Sequence, residues 1–72
     1  MTINDDELNA LVKRHESFMN KGEYYHRLTL LDDSAVVSSS VINETVAKWN
    51  AMIRLMCLIE NGRIDPRKLI DG

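Results

Sequence analysis

The hydrophobic positions in the first twenty residues predict an amphipathic helix. Asn4 is a good N-cap residue, and Glu7 three positions later gives a pattern similar to a capping box. We expect this helix to run from about Asp5 to Asn20 and to end at Gly22, which tolerates a left-handed conformation. With His15 between them, the apolar residues fall on one helical face: Leu8, Leu11, Val12, Phe18 and Met19.

The segment from Glu23 to Leu31 fits two structures. Its two tyrosines and Thr29 favour a strand, and polar and apolar positions partly alternate. A lone strand would leave its backbone groups unpaired, so it would need a second copy of the chain. A short helix would instead bury Tyr24, Leu28 and Leu31 on one face. We favour a helix or irregular structure, and the strand stays an alternative.

A long helix is predicted beyond the polar break at residues 32–34. No glycine or proline interrupts the chain from there to Asn61, and the serines at 38–40 are a possible N-cap within this stretch. A second apolar stripe beside the main one makes the helix apolar nearly all round between Trp49 and Ile59, more than the first helix can cover. We therefore expect an oligomer interface along the apolar positions with heptad spacing: Ile42, Val46, Trp49, Ile53 and Met56.

The C-terminal residues contain signals for a helix end and a new helix start. Asn61 and Gly62 form a strong C-terminal cap. Asp65 is placed to cap a last helical turn, with Pro66 at its first position. The predicted fold class is therefore all-α: a helical hairpin or three-helix arrangement with one long C-terminal helix, in a single domain covering residues 1–72.

Charge and hydropathy exclude several classes of protein. Nine basic and eleven acidic residues give a net charge of −2, which does not fit a strongly basic nucleic-acid binder. No apolar run approaches the ~18 residues of a membrane span, and the acidic start lacks the basic region of a secretory signal. The single cysteine, Cys57, lies in an apolar run where we expect it to be buried. A lone cysteine suits a reducing compartment, so we expect a cytoplasmic protein without a membrane partner.

The chain has no motif for catalysis, a cofactor or a metal. His15, His26 and Cys57 do not have the spacing of a zinc site, and His15 reads as a half-buried helix residue. The serines at 38–40 lack a nucleophile elbow, and three scattered glycines cannot form a phosphate loop. We therefore expect no enzyme activity, no cofactor and no metal.

The strongest functional feature of the sequence is a cluster of Tyr24, Tyr25 and Arg27. Tyrosine and arginine are enriched at interface hot spots, so we take these residues as the partner-binding site. The expected function is that of a small adaptor or inhibitor acting by protein–protein binding, of the type of phage or plasmid accessory proteins, assembled as a homodimer or higher homo-oligomer. The alternative is a small regulatory nucleic-acid-binding dimer. It is disfavoured because a ribbon-helix-helix arrangement would bring Asp32 and Asp33 against DNA phosphates.

Overall fold

The computed structural model describes residues 4–71, which form three helices and one three-stranded antiparallel sheet. The strand order is β1-β2-β3, and α2 packs on β2 and β3. The fold is therefore α+β, and the prediction of an all-α protein is wrong. The elements in chain order are α1 (Asp5–Ala10), β1 (Val12–Asn20), β2 (Glu23–Leu30), β3 (Ala35–Ser40), α2 (Glu44–Glu60) and α3 (Pro66–Asp71).

The first helix is much shorter than the sequence predicts. Its cap is as expected, because the Asn4 side chain accepts a hydrogen bond of 2.8 Å from the Glu7 backbone N–H. The helix ends at Ala10, and the rest of the expected helix is β1. Residues 13–17 are five consecutive polar residues. They would give a helix no side chain to bury, whereas a strand requires only a backbone partner, here β2.

Lys21 and Gly22 form the turn of the β1–β2 hairpin rather than a helix end. Their φ angles are 51° and 80°, as required at both central positions of a tight hairpin turn of the primed type. Gly22 thus adopts the left-handed conformation that the sequence predicts, but in a different structural role.

Residues 23–30, which the sequence analysis left between strand and helix, form β2, the central strand. Its neighbours both come from the same chain: Phe18 of β1 lies opposite Tyr25, and Val37 of β3 lies opposite Arg27. The backbone groups of β2 are therefore paired on both sides without a second copy. The preference for a helix or irregular structure was wrong.

The long predicted helix is divided into β3 and α2. The serines at 38–40 belong to β3, and the cap of α2 is Asn43, whose side chain accepts a 2.9 Å hydrogen bond from the Val46 N–H. Asn50 ties the two elements together by donating a 3.0 Å hydrogen bond to the Ser39 carbonyl. The helix stop is confirmed, since Asn61 is the C-cap and Gly62 has a φ of 75°.

The last helix follows the prediction from sequence. The Arg67 N–H donates a 3.0 Å hydrogen bond to the Asp65 carboxylate, and Pro66 is the first helical residue. Leu69 is buried and joins the core.

The core lies between one face of the sheet and the helices. Four leucines are almost fully buried, and the core-facing side of α2 consists of Ala47, Ala51 and Leu55. The two alanines let the helix approach the sheet closely. The buried leucines are Leu11, Leu28, Leu30 and Leu55.

Most of the predicted heptad stripe lies on the outside of α2, whereas Met56 is half-buried and packs against the core. Trp49 is 61% exposed and Ile53 is 53% exposed, while Ile42 precedes the helix and is 68% exposed. Cys57 is an exposed free thiol, which corrects the expectation that it is buried. None of the helices in residues 4–71 has the length and apolar character needed to cross a bilayer.

Candidate partner-binding surface on the sheet

The two faces of the sheet have different surroundings. Because side chains alternate along a strand, Leu28 and Leu30 of β2 enter the core, and Tyr25 and Arg27 point to the opposite side. Among the described residues, the helical side chains of the core cluster all lie on the Leu28 side. We call the other side the open face. The strand register places on it Arg14, Glu16, Phe18, Tyr25, Arg27 and Val37.

An aromatic stack lies on the open face. Phe18 and Tyr25 are directly opposite each other on β1 and β2, and their rings are nearly parallel, with an interplanar angle of 3° and centroids 5.3 Å apart. The Arg27 guanidinium lies 5.3 Å from the centroid of the Phe18 ring, within cation–π distance. Phe18 remains 38% exposed. The three side chains therefore form one ordered cluster that solvent still reaches.

The charges around the stack nearly cancel. A carboxylate oxygen of Glu16 lies 3.3 Å from Arg14 Nε and 3.8 Å from Arg27 Nη1. The Tyr25 hydroxyl donates a 3.0 Å hydrogen bond to Glu23, and this bond, together with the negative charge of Glu23, raises the pKa of the Tyr25 hydroxyl. The open face thus offers hydrogen-bonding groups and aromatic surface without a strong net charge.

The residues chosen from sequence are divided between the two faces. Tyr25 and Arg27 lie together on the open face, whereas Tyr24 pairs with Met19 and Ser40 on the side of α2. Sequence reasoning missed Phe18, which lies against both Tyr25 and Arg27. Because residues 13–17 are all polar, no alternation of polar and apolar positions marks this strand, and the sequence carries no local signal that groups Phe18 with the other two.

A chain of hydrogen bonds crosses the covered face of the sheet. His26 is 4% exposed; its Nδ1 lies 2.8 Å from the Ser17 hydroxyl, and its Nε2 lies 2.9 Å from His15 Nδ1. Both ring nitrogens of His26 are thus paired, as expected for a buried imidazole. His15 is in a strand, not in the helix that the sequence suggests, and it is exposed.

Both histidines favour the neutral form. Burial lowers the pKa of His26, the positive charges of His15 and Lys48 lower it further, and Glu44 opposes them. Burial and Lys48 also lower the pKa of His15. Within the described part of the chain, no three His, Cys, Asp or Glu side chains come together as a possible metal site. His26 is therefore best understood as a buried polar residue of the core, hydrogen-bonded to the exposed His15 at the edge of the covered face.

A shallow groove of about 410 Å³ lies between the β2–β3 turn and α3. Its polar lining carries both signs of charge, with Arg63 and Lys68 near Asp32 and Asp65. The Asp32 carboxylate already accepts hydrogen bonds from Ser34, and these bonds lower its pKa. The groove has neither the strong charge nor the convergent free polar groups that would select a particular ligand.

The predicted oligomer interface occupies a separate surface. Within α2, Trp49 and Ile53 are exposed on the side away from Ala47, Ala51 and Leu55, whereas Met56 is half-buried and packs against the core. Val46 is half-buried. The structure contains one chain, so the interface stays a prediction. Comparison with protein-family models, with curated proteins and with solved structures found no match.

Proposed function

We propose that this chain is a small non-enzymatic adaptor or inhibitor that binds a partner protein through the open face of its sheet. The observation that carries the proposal is the ordered cluster of Phe18, Tyr25 and Arg27 on a face outside the core. Aromatic residues and arginine are enriched at protein interfaces and supply most hot-spot energy.

The cluster is organised before any partner arrives. Phe18 is fixed by Tyr25 and Arg27, Tyr25 is fixed by Glu23, and Arg27 lies beside Glu16. Immobilising a flexible side chain at an interface costs about 0.5–1.5 kcal/mol. Side chains that are already ordered lose less freedom on binding, which favours this cluster as the centre of a contact.

The charge balance favours a protein partner over a nucleic acid. Nucleic-acid affinity depends mainly on neutralising phosphates with unpaired basic side chains. On the open face Arg14 and Arg27 share the carboxylate of Glu16. Lys13, at the start of β1, is paired with Asp33. With the negative charge of Glu23 beside Tyr25, the open face carries little net positive charge for phosphates. This balance supports the adaptor or inhibitor over the regulatory nucleic-acid-binding dimer.

We propose that the protein acts in the cytoplasm. The support is the exposed free thiol of Cys57. Thiols of this kind are kept reduced inside cells, whereas oxidising compartments convert them to disulfides.

Capture from a lysate of the source cells tests the proposal. The wild-type chain should retain a discrete partner, and Arg27→Ala should lose it while keeping the far-ultraviolet circular dichroism of the wild type. Arg63→Ala is the matched control, because it removes the same side chain from an exposed position near α3. Retention of the partner by Arg27→Ala, or equal loss in both variants, would contradict the proposal.

A salt titration separates the two functions. Random-sequence duplex DNA should show no binding that depends steeply on salt, because the basic side chains of the open face are paired. DNA binding that weakens steeply with salt and is lost in Arg27→Ala would instead support the nucleic-acid-binding dimer.

A further inference from the structure

The outer side of α2 carries an uncharged apolar stripe. At 3.6 residues per turn, Val46, Trp49, Ile53 and Met56 fall on one side of the helix, opposite Ala47 and Ala51. We call these four residues the outer stripe. Trp49 is 61% exposed and Ile53 is 53% exposed. Val46 is half-buried, and Met56 is half-buried and also packs against the core. None of the four side chains is charged.

Two of the four charged residues of the same helix lie near the sheet. Lys48 and Glu44 are close enough to His26 to alter its pKa, which places both near the covered face of the sheet. Glu60, in the last turn of the helix, falls on the line of the outer stripe seven positions after Ile53, so the uncharged part of the stripe is its middle, around Trp49 and Ile53. Val41 and Ile42, just before the helix, add exposed fractions of 73% and 68%.

The exposed apolar area is comparable to the largest apolar patch of a typical monomer. A large aromatic side chain offers roughly 150–250 Å², so the exposed parts of Trp49, Ile53, Ile42 and Val41 together amount to several hundred Å². The largest apolar patch on a typical monomer is about 300–600 Å² and is often functional. A stable interface buries about 800 Å² per partner, so the contact must extend from the apolar patch to its neighbours along the 17 residues of α2.

We infer that the outer stripe is occupied by the outer stripe of a second copy of this chain, forming a two-fold homodimer. Permanent homodimer interfaces are more apolar than the interfaces of proteins that exchange partners. The outer stripe matches the first kind. The open face, with its arginines, glutamates and tyrosine, matches the second kind.

The order of residues in the stripe suits self-association. A two-fold contact uses the same patch on both subunits, so the patch must be complementary to itself. Around Trp49, Val46 and Ile53 lie three and four positions away, and Ile42 and Met56 both lie seven positions away. Two antiparallel copies of α2 can therefore meet with Trp49 near the axis and β-branched residues facing each other on either side.

The dimer has a consequence for binding, which rests on the proposed function of the open face. In each protomer the open face is on the opposite side of the sheet from α2. Two protomers joined through α2 form four layers, sheet–helix–helix–sheet, with the two open faces directed outward. The dimer would hold two partner molecules on opposite sides.

The test uses the purified chain alone, because Trp49 is its single tryptophan. Light scattering over a dilution series should give twice the mass of the 8.3 kDa chain at high concentration and should fall towards 8.3 kDa on dilution. Tryptophan emission should shift to longer wavelength over the same range, as Trp49 becomes exposed to water. A monomer throughout the series, or a dimer whose tryptophan emission does not change as it dissociates, would overturn the inference.

Two variants locate the contact. Ile53→Glu should remain monomeric with emission at long wavelength and unchanged helical circular dichroism. Arg54→Glu, the same replacement one position further along α2, should dimerise like the wild type. A dimer that survives Ile53→Glu would overturn the inference. Should Ile53→Glu fail to fold, Trp49→Gln with light scattering replaces it. Since no partner is present, failure of the dimer and failure of binding at the open face remain distinguishable.

Discussion

At the residue scale, His26 is the least ordinary member of the core. It lies beside apolar residues such as Leu28 and is 4% exposed, yet it is polar and titratable. Its two ring nitrogens are matched by Ser17 and His15, so no polar group of the ring is left without a partner. A neutral imidazole can serve as donor at one nitrogen and acceptor at the other, which fits this arrangement.

We predict that acid destabilises the fold through this pair. The pKa values of His26 and His15 are lower in the folded chain than the ordinary 6.5, because of burial and Lys48. The unfolded chain therefore binds more protons near that pH, and stability rises with pH. The contribution is present above about pH 6.5 and is lost as the pH falls below it towards the folded pKa values.

Urea unfolding followed by circular dichroism at several pH values between about 5 and 8 measures this effect around the ordinary histidine pKa. The free energy of unfolding should fall on acidification within this window, and His26→Gln should flatten the dependence. A wild-type stability that is constant or increases on acidification would show that the histidines are not held neutral by the fold.

The features that could be predicted from the sequence are those that depend on only a few neighbouring residues. The caps at Asn4 and Asp65, the stop at Asn61 and the positive φ of Gly22 each depend on a few neighbouring residues. Tyr25 and Arg27 share a face because residues two apart in a strand point to the same side, whereas the sequence analysis grouped them with Tyr24 by their proximity along the chain. The contact of Phe18 with both could not be predicted, because it depends on the pairing of β1 with β2.

At the element scale, α2 shows why an apolar pattern alone can be misread. Trp49 and Ile53, two large apolar residues of the stripe that the heptad pattern identified, are exposed. The side that enters the core carries two alanines and Leu55. A pattern shows that two sides of a helix are apolar, but it does not show which side meets the sheet.

We predict opposite consequences for the two sides of this helix. Leu55→Ala removes a fully buried side chain and should lower the free energy of unfolding by about 2–5 kcal/mol, whatever the protein concentration. Trp49→Ala removes an exposed side chain and should affect stability only by weakening the dimer, so its effect should depend on concentration.

Chemical denaturation at two well-separated protein concentrations distinguishes these mechanisms. The sequence pattern alone predicts that Trp49→Ala either unfolds or dissociates the protein. Because Trp49 is exposed in the protomer, we expect dissociation. A large, concentration-independent loss of stability in Trp49→Ala would show that Trp49 belongs to the core of the protomer.

At the scale of the whole molecule, the fold class could not be predicted because it depends on contacts distant in sequence. Residues 23–30 become a strand because β1 and β3 supply partners on both sides, and neither was recognised as a strand. Once β1 was read as helix, β2 had no neighbour and the argument against a strand followed. The local propensity of Tyr24, Tyr25 and Thr29 had indicated the correct structure.

The complete architecture leaves two surfaces of different chemistry on opposite sides of one small domain. The open face is aromatic and charge-balanced, and the outer stripe is apolar and uncharged. We propose that the partner protein binds the open face and not the outer stripe.

The most direct test maps the captured partner onto the isotopically labelled chain by nuclear magnetic resonance. Adding the partner should shift the resonances of the open face, with the largest changes at Phe18, Tyr25, Arg27 and Val37 and small changes along the outer side of α2. Shifts confined to α2 or α3, with the open face unchanged, would contradict the account.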